Sequence, residues 1–199
     1  MVVISNKSKL RKHFKILRSN MNQQDVALKS SAIQDNFLSY YNSLIKNTNL
    51  ENPIFAIYKP ISNEVKTDKI ENFIINDLGY VSFPLINNEL DILDFYACDN
   101  DSKFYYNNIY NDLLEPISFQ KVIPDIIIMP LIAFDKNLNR IGMGKGFYDK
   151  TISYLNHKIS KKIVKIGLSY DLQFSSDLID VDNFDSKLDM VISENKIWH

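Results

Sequence analysis

The stretch from Ile126 to Asp149, IIIMPLIAFDKNLNRIGMGKGFYD, constrains the fold more than any other part of the chain. An apolar, β-branched run ends at Pro130, and a polar turn containing Asn137 and Asn139 follows. Arg140 then introduces Gly142, Gly144 and Gly146 ahead of the aromatic start of a helix at Phe147. The order is therefore strand, a loop whose backbone other atoms can approach closely, and helix.

The rest of the chain repeats that alternation. Leu10, Phe14 and Leu17 fall on one face of a basic amphipathic helix expected over Ser5 to Ser19. Asn22 with Asp25 three residues later marks a second helix start, and Val26, Ile33, Phe37, Tyr40 or Tyr41, and Leu44 continue its apolar stripe. Ile54 to Tyr58 reads as a buried strand, Lys59 to Glu64 as the loop at its end, and Ile70, Phe73, Ile74 and Leu78 as the apolar face of a helix stopped by Gly79.

Strands follow at Tyr80 to Leu85 and around Leu90 to Ala97, the second interrupted by acidic residues and so expected to be more exposed. Asp99 to Asp112 reads as a tyrosine-rich loop whose rings either pack or stack on a flat heterocycle. Lys158 to Lys162 reads as a solvated connection into a strand over Ile163 to Leu168, and Met190 to Ser193 as the final strand. Strands alternating with helices predict a single three-layer α/β domain spanning residues 1–199, with a largely parallel central sheet flanked by helices. Loops at the C-terminal ends of such strands are where ligands bind.

The glycine segment suits phosphate chemistry. Bare glycine N–H groups can point at anionic oxygens, a helix N-terminus adds partial positive charge, and Arg140 and Lys145 add full charges. Its spacing matches neither the P-loop nor the dinucleotide fingerprint, so three glycines alone are equally compatible with a flexible turn. Asp149, just inside the helix, is placed to hold a Mg²⁺ that bridges phosphate oxygens, and it is expected to be an acid without a protein partner.

The run PLIAFD at 130–135, followed by RIGMGKGFYD at 140–149, resembles the signature of the 5-formyltetrahydrofolate cyclo-ligase family, also called methenyltetrahydrofolate synthetases. Weaker features of that family recur from Lys7 to Glu194. The resemblance implies an ATP- and Mg²⁺-dependent ligase of one-carbon metabolism that cyclises 5-formyltetrahydrofolate to 5,10-methenyltetrahydrofolate. It assigns Arg140 and Lys145 as catalytic residues, and Lys7 and Arg11, four apart on one helical face, as nucleotide ligands together with the loop Ile141, Gly142, Met143, Gly144, Lys145, Gly146 and the following Phe147 and Tyr148. It places Tyr58, Glu64, Phe147 and Tyr148 at the folate, and Asp149 and Asp185 at the metal. Glu115-Pro116 and Gln173 also match the family. Asp180 and Phe184 stand where its proline and histidine are expected, which leaves Asp185 as the second carboxylate.

Composition sets limits on other readings. With 23 Lys and Arg against 24 Asp and Glu, the formal net charge is −1, so no global field steers the chain onto nucleic acid or a membrane, and anion binding must be local. The single cysteine, Cys98, cannot form an internal disulfide, and no apolar stretch resembles a signal peptide or a membrane span. The expectation is a cytoplasmic monomer that binds small molecules. The alternative from another class is a nucleotide-binding regulatory module without turnover.

Overall fold

The computed structural model describes residues 6–118, 120–158 and 160–199. Ser5, Phe119 and Ile159 lie outside the described residues, and with them the expected first residue of the opening helix and one residue of the connection after Lys158.

The first helices form where the apolar spacing places them. Helix α1 (Asn6–Ser19) is followed by α2 (Gln23–Thr48), whose N-cap Asn22 accepts a hydrogen bond from the Asp25 N–H at 2.8 Å. Strand β1 is only Phe55–Ala56, shorter than the apolar run suggests. Ile57 still donates to Ser82 O, but Tyr58 leaves the ladder with its hydroxyl bonded to Val65 O, which turns the chain into the loop before α3 (Asp68–Leu78).

After α3 come β2 (Val81–Asn87) and β3 (Ile92–Cys98), paired antiparallel. Strand β3 is largely buried despite its acidic residues, contrary to the sequence expectation, because Leu93 and Phe95 join the core while Asp94 pairs with Lys121 at 2.7 Å. The tyrosine-rich stretch also differs from its reading as loop. Lys103–Tyr106 forms β4, paired antiparallel with β5 (Leu114–Ile117), since an aromatic run suits a pleated surface once a partner strand is present. Glu115 pins this pair to the main sheet: it is buried and accepts from the Ile86 N–H and the Tyr105 hydroxyl.

The short β6 (Lys121–Val122) precedes the central strand β7 (Ile126–Pro130). The polar turn beyond it belongs to a hairpin of β8 (Ala133–Asp135) and β9 (Arg140–Ile141), two short strands where the sequence indicates only a turn. Asp135 organises that hairpin. Fully buried, it accepts from the N–H groups of Asn137, Asn139 and Ile179. Helix α4 (Phe147–Lys158), β10 (Val164–Leu168), a 3₁₀ turn (Asp171–Gln173), β11 (Phe174–Ser175) and β12 (Met190–Ile192) complete the core, and β13 (Ile197–Trp198) adds a strand after the one expected to be last.

The main sheet has the order β13-β12-β10-β7-β1-β2-β3-β6. Strands β12, β10, β7, β1 and β2 are parallel and the outer strands antiparallel. Strand β7 shows the layering directly. Ile126 and Ile128 pack with residues of α2 and α3 such as Phe37 and Ile74, whereas Ile127 and Met129 pack with Ile152 and Leu155 of α4. Two buried faces explain why this strand reads as a continuous apolar run. The three-layer, largely parallel α/β expectation holds. Helix α1 packs elsewhere: Phe14 meets Ile132, Ala133 and Ile141, which sets its basic face beside the glycine loop.

Candidate functional site

A cavity of about 480 Å³ opens where β1 and β7 end, the location expected for an open α/β sheet. Its floor is Pro130, Leu131 and Ile132, the residues that leave β7. Gln173 fixes that exit, because its buried amide donates to both Leu131 O (2.7 Å) and Ile132 O (3.0 Å).

One wall is the glycine loop. Gly144 (φ +99°) and Gly146 (φ +72°) both sit at positive φ, where a side chain would be strained, and Gly146 immediately precedes α4. The guanidinium of Arg11 lies against this loop: its Nε donates to Gly142 O at 3.0 Å, and a Cβ placed on Gly144 would come within 3.5 Å of its central carbon. Lys145 is exposed, with its ammonium 5.7 Å from the centre of the Tyr110 ring. Among the described residues, neither Arg11 nor Lys145 is ion-paired with a carboxylate.

Two other lining cations are already matched. Lys7 contacts Asp185 and also Asp182 at 3.2 Å. Burial alone would lower the pKa of its ammonium, but the hydrogen bonds to the two aspartates outweigh burial and raise it. Arg140, nearly buried, pairs with Asp149 Oδ1 at 2.9 Å and donates to Ser186 O at 2.6 Å, while the Ser186 N–H donates to the same Asp149 oxygen. Asp149 is thus not the partnerless acid expected from sequence. The arginine ten residues after Pro130 reaches across the loop to it, a contact no linear spacing announces.

The opposite wall is apolar. Pro84 and Ile86 of β2, Leu93 of β3, and Leu113 and Tyr110 ahead of β5 face the cavity with Phe147, whose ring meets Tyr110 edge-on at 6.1 Å. Tyr58, Tyr148 and Glu64 close the inner end. Burial pushes both phenols well above their ordinary range, helped by the Glu64 charge. Burial also raises the Glu64 carboxyl, against the opposing pull of Arg18 and of the Ile61 N–H that donates to it at 3.1 Å.

The structure therefore brings Lys7, Arg11, Tyr58, Glu64, Arg140, Asp149, Asp185 and the loop from Gly142 to Tyr148 to one cavity. Ile141 is the exception: it is fully buried beneath the loop against Phe14 and Ile132, and so belongs to the core. Sequence reasoning missed the apolar wall, because strands on both sides of the chain's midpoint contribute to it. It also missed Lys59, which lines the cavity but is committed to Glu71 at 2.7 Å and lies 4.5 Å over the rings of Phe83 and Phe104. Cys98 is buried, with a thiol pushed up to about 11 by burial, which suits a packing residue and not a nucleophile.

The model of the 5-formyltetrahydrofolate cyclo-ligase family matches residues 3–194. The chain belongs to that family. Among the family's proteins, a 5-formyltetrahydrofolate cyclo-ligase from Mycoplasma genitalium is 30% identical over 188 residues, covering 94% of this chain and 97% of the relative. The solved structure of Aquifex aeolicus 5,10-methenyltetrahydrofolate synthetase superposes with a TM-score of 0.78 at 23% identity, covering 98% of this chain and 92% of that one. A 5,10-methenyltetrahydrofolate synthetase from Mycoplasma pneumoniae does so with a TM-score of 0.64 at 22% identity, covering 96% and 100%. These two likenesses bear on the fold, and the family places this chain among ligases. No helix among the described residues is long and apolar enough to cross a membrane.

Proposed function

We propose that this chain cyclises 5-formyltetrahydrofolate to 5,10-methenyltetrahydrofolate at the expense of ATP, releasing ADP and phosphate. The observation that carries this reading is the meeting, in one cavity, of a glycine loop flanked by two cations without carboxylate partners and an apolar, aromatic wall. The first half suits a polyphosphate and the second a flat heterocycle.

A formamide oxygen is a poor leaving group, so it first attacks the γ-phosphorus and ADP departs. N10 then attacks the activated formyl carbon, its proton passes to solvent, and the carbon–oxygen bond breaks to expel phosphate. Neither step needs a protein nucleophile. What the chain supplies is position and charge. Lys145 and Arg11 neutralise the transferring phosphate from either side of the loop, the loop N–H groups and the start of α4 add dipoles, and Lys7 and Arg140 lie within the same wall. Tyr58, Glu64, Phe147 and Tyr148 hold the folate so that its formyl oxygen faces the loop.

Mg²⁺ fits the residues present. The partners of Asp149 meet its Oδ1 and those of Asp185 its Oδ2, and the Asp149–Ser186 hydrogen bond brings the two carboxylates to one side of the cavity. Two carboxylates suit an ion that takes few protein ligands and completes its shell with phosphate oxygens and waters. When bound, it would neutralise further charge on the nucleotide phosphates.

The test is to mix purified protein with Mg-ATP and 5-formyltetrahydrofolate and follow methenyltetrahydrofolate by its absorbance and ADP by a coupled assay. One ADP per product, and none without folate, is expected. ATP binding with no folate-dependent ADP release would identify a regulatory module instead.

A further inference from the structure

At the inner end of the cavity Glu64 is half of a buried ion pair whose other half, Arg18, lies outside the lining and has no part in the proposed chemistry. Arg18, in the last turn of α1, and Glu64 have side chains only 5% and 4% exposed, with Arg18 Nη1 3.5 Å from Glu64 Oε1. The same Nη1 donates to Leu131 O at 3.3 Å, so Arg18 bridges the Lys59 to Glu64 loop and the cavity floor. The Asn63 amide locks the arrangement by donating to Arg18 O at 3.1 Å and Met21 O at 2.9 Å. Two charges taken this far from water carry a large desolvation cost, and a merely structural contact between α1 and the loop could have been made with apolar side chains.

We propose that Arg18 is a positioning residue for the folate substrate: it acts through Glu64, holding that carboxylate at the cavity wall as an anionic acceptor for the ring N–H donors of the pteridine. This inference rests on the folate reading of the cavity. The groups facing Glu64 are Arg18 from α1, Tyr58 after β1, Tyr148 from α4 and Tyr170 after β10. Burial pushes all three phenols upward, so they face Glu64 uncharged at neutral pH. Burial works to protonate Glu64 as well, and the charge of Arg18 is the largest influence opposing it. Without Arg18 the carboxyl takes up a proton nearer neutrality, and a protonated Glu64 loses an acceptor just where the substrate presents donors.

The experiment compares Arg18→Met, Glu64→Gln and the double variant with wild type between pH 6 and 9. Arg18→Met should raise KM for 5-formyltetrahydrofolate and leave KM for ATP within about twofold. Each unit by which the Glu64 pKa comes to exceed the assay pH costs about tenfold in the ionised fraction, so the loss should shrink as pH rises. Glu64→Gln should show a loss that does not vary with pH, and the double variant should be no worse than Glu64→Gln alone. A loss that is flat in pH, shared by ATP, or added to that of Glu64→Gln would overturn the inference. If Arg18→Met melts below the assay temperature, Arg18→Lys replaces it, with partial retention of the wild-type pH profile expected and a profile unlike wild type counting against the inference.

A carboxyl ¹³C titration of Glu64 in wild type and variant, without substrate, separates the two levels of argument. Arg18→Met should raise the Glu64 midpoint. An unmoved midpoint in an enzyme that turns over folate would overturn the role of Arg18 alone, whereas a protein that neither binds nor converts folate would overturn the folate reading and this inference with it.

Discussion

Replacing Lys145 by alanine is the most direct test of the phosphate site. The side chain is exposed, has no carboxylate partner among the described residues, and touches the fold through the Tyr110 ring 5.7 Å away. That distance is near the outer limit for a cation–π contact, and at an exposed site the contact is worth about 0.5 kcal/mol. In a chain of this length such a loss lowers Tm by about 1–2 °C. The catalytic cost is expected to be much larger. Removing one preorganised donor to developing charge costs about 2.7–4 kcal/mol, which is a fall of about 10²–10³ in kcat. Initial rates of methenyltetrahydrofolate formation at saturating ATP and folate, beside a thermal melt, give both numbers. Wild-type kcat would refute the argument that this charge acts on the transferring phosphoryl group. A rise in KM for ATP with kcat intact would mean that it only binds the ground state, and a Tm lowered by 10 °C or more would make it a structural residue.

Other outcomes follow from the same geometry. Lys7→Ala combined with Arg11→Ala should weaken ATP binding more than folate binding, with a loss that shrinks as salt rises; equal ATP affinity by calorimetry would leave α1 a solvated face. Asp149→Asn should raise the Mg²⁺ concentration needed for half-maximal activity and, because Arg140 loses its partner, cost about 1–3 kcal/mol of stability by denaturant titration; unchanged stability would mean the ion pair is not formed in solution. Asp185→Asn should shift the Mg²⁺ requirement in the same direction, and no shift would remove Asp185 from the metal site. For Glu64, whose folded pKa is raised above its ordinary 4.5, the stabilising contribution is full below that value and lost as pH rises through the folded pKa, so wild-type stability relative to Glu64→Gln should decline with pH; an increase would show that Arg18 outweighs burial.

The parts of this molecule legible in the sequence are those whose cause is local. The apolar run of β7, the Asn22 cap and the glycine loop before α4 each depend on neighbours a few residues away, and each forms where the residues indicate. That residues 142–148 share one wall of the cavity was legible for the same reason. The apolar wall was not, because Pro84, Leu93 and Leu113 become neighbours only once β2, β3 and β5 are placed. Partners were hidden as well. Lys7 meets Asp185 across 178 residues, and Arg18 meets Glu64 across two elements. Asp135 of the signature and Gln173 of the tail illustrate a further limit: the sequence matches the family at both without saying what they do, and both spend their hydrogen bonds holding backbone beneath the site.

A chain with a net charge of −1 can attract a polyanion only where positive charge is concentrated, and the pairing pattern around the cavity concentrates it. Five cations line the cavity, Lys7, Arg11, Lys59, Arg140 and Lys145, against four acids, Glu64, Asp149, Asp182 and Asp185. Lys59 is spent on Glu71, Lys7 on Asp182 and Asp185, and Arg140 on Asp149, while Glu64 takes its cation from Arg18 behind the wall. Among the described residues, Arg11 and Lys145 remain without a carboxylate partner, the first against the glycine loop and the second within it, just ahead of α4. The field is therefore directed at the glycine loop, a stretch of backbone that anionic oxygens can approach closely. The apolar wall opposite lowers the local dielectric and makes each of those charges count for more than it would in water.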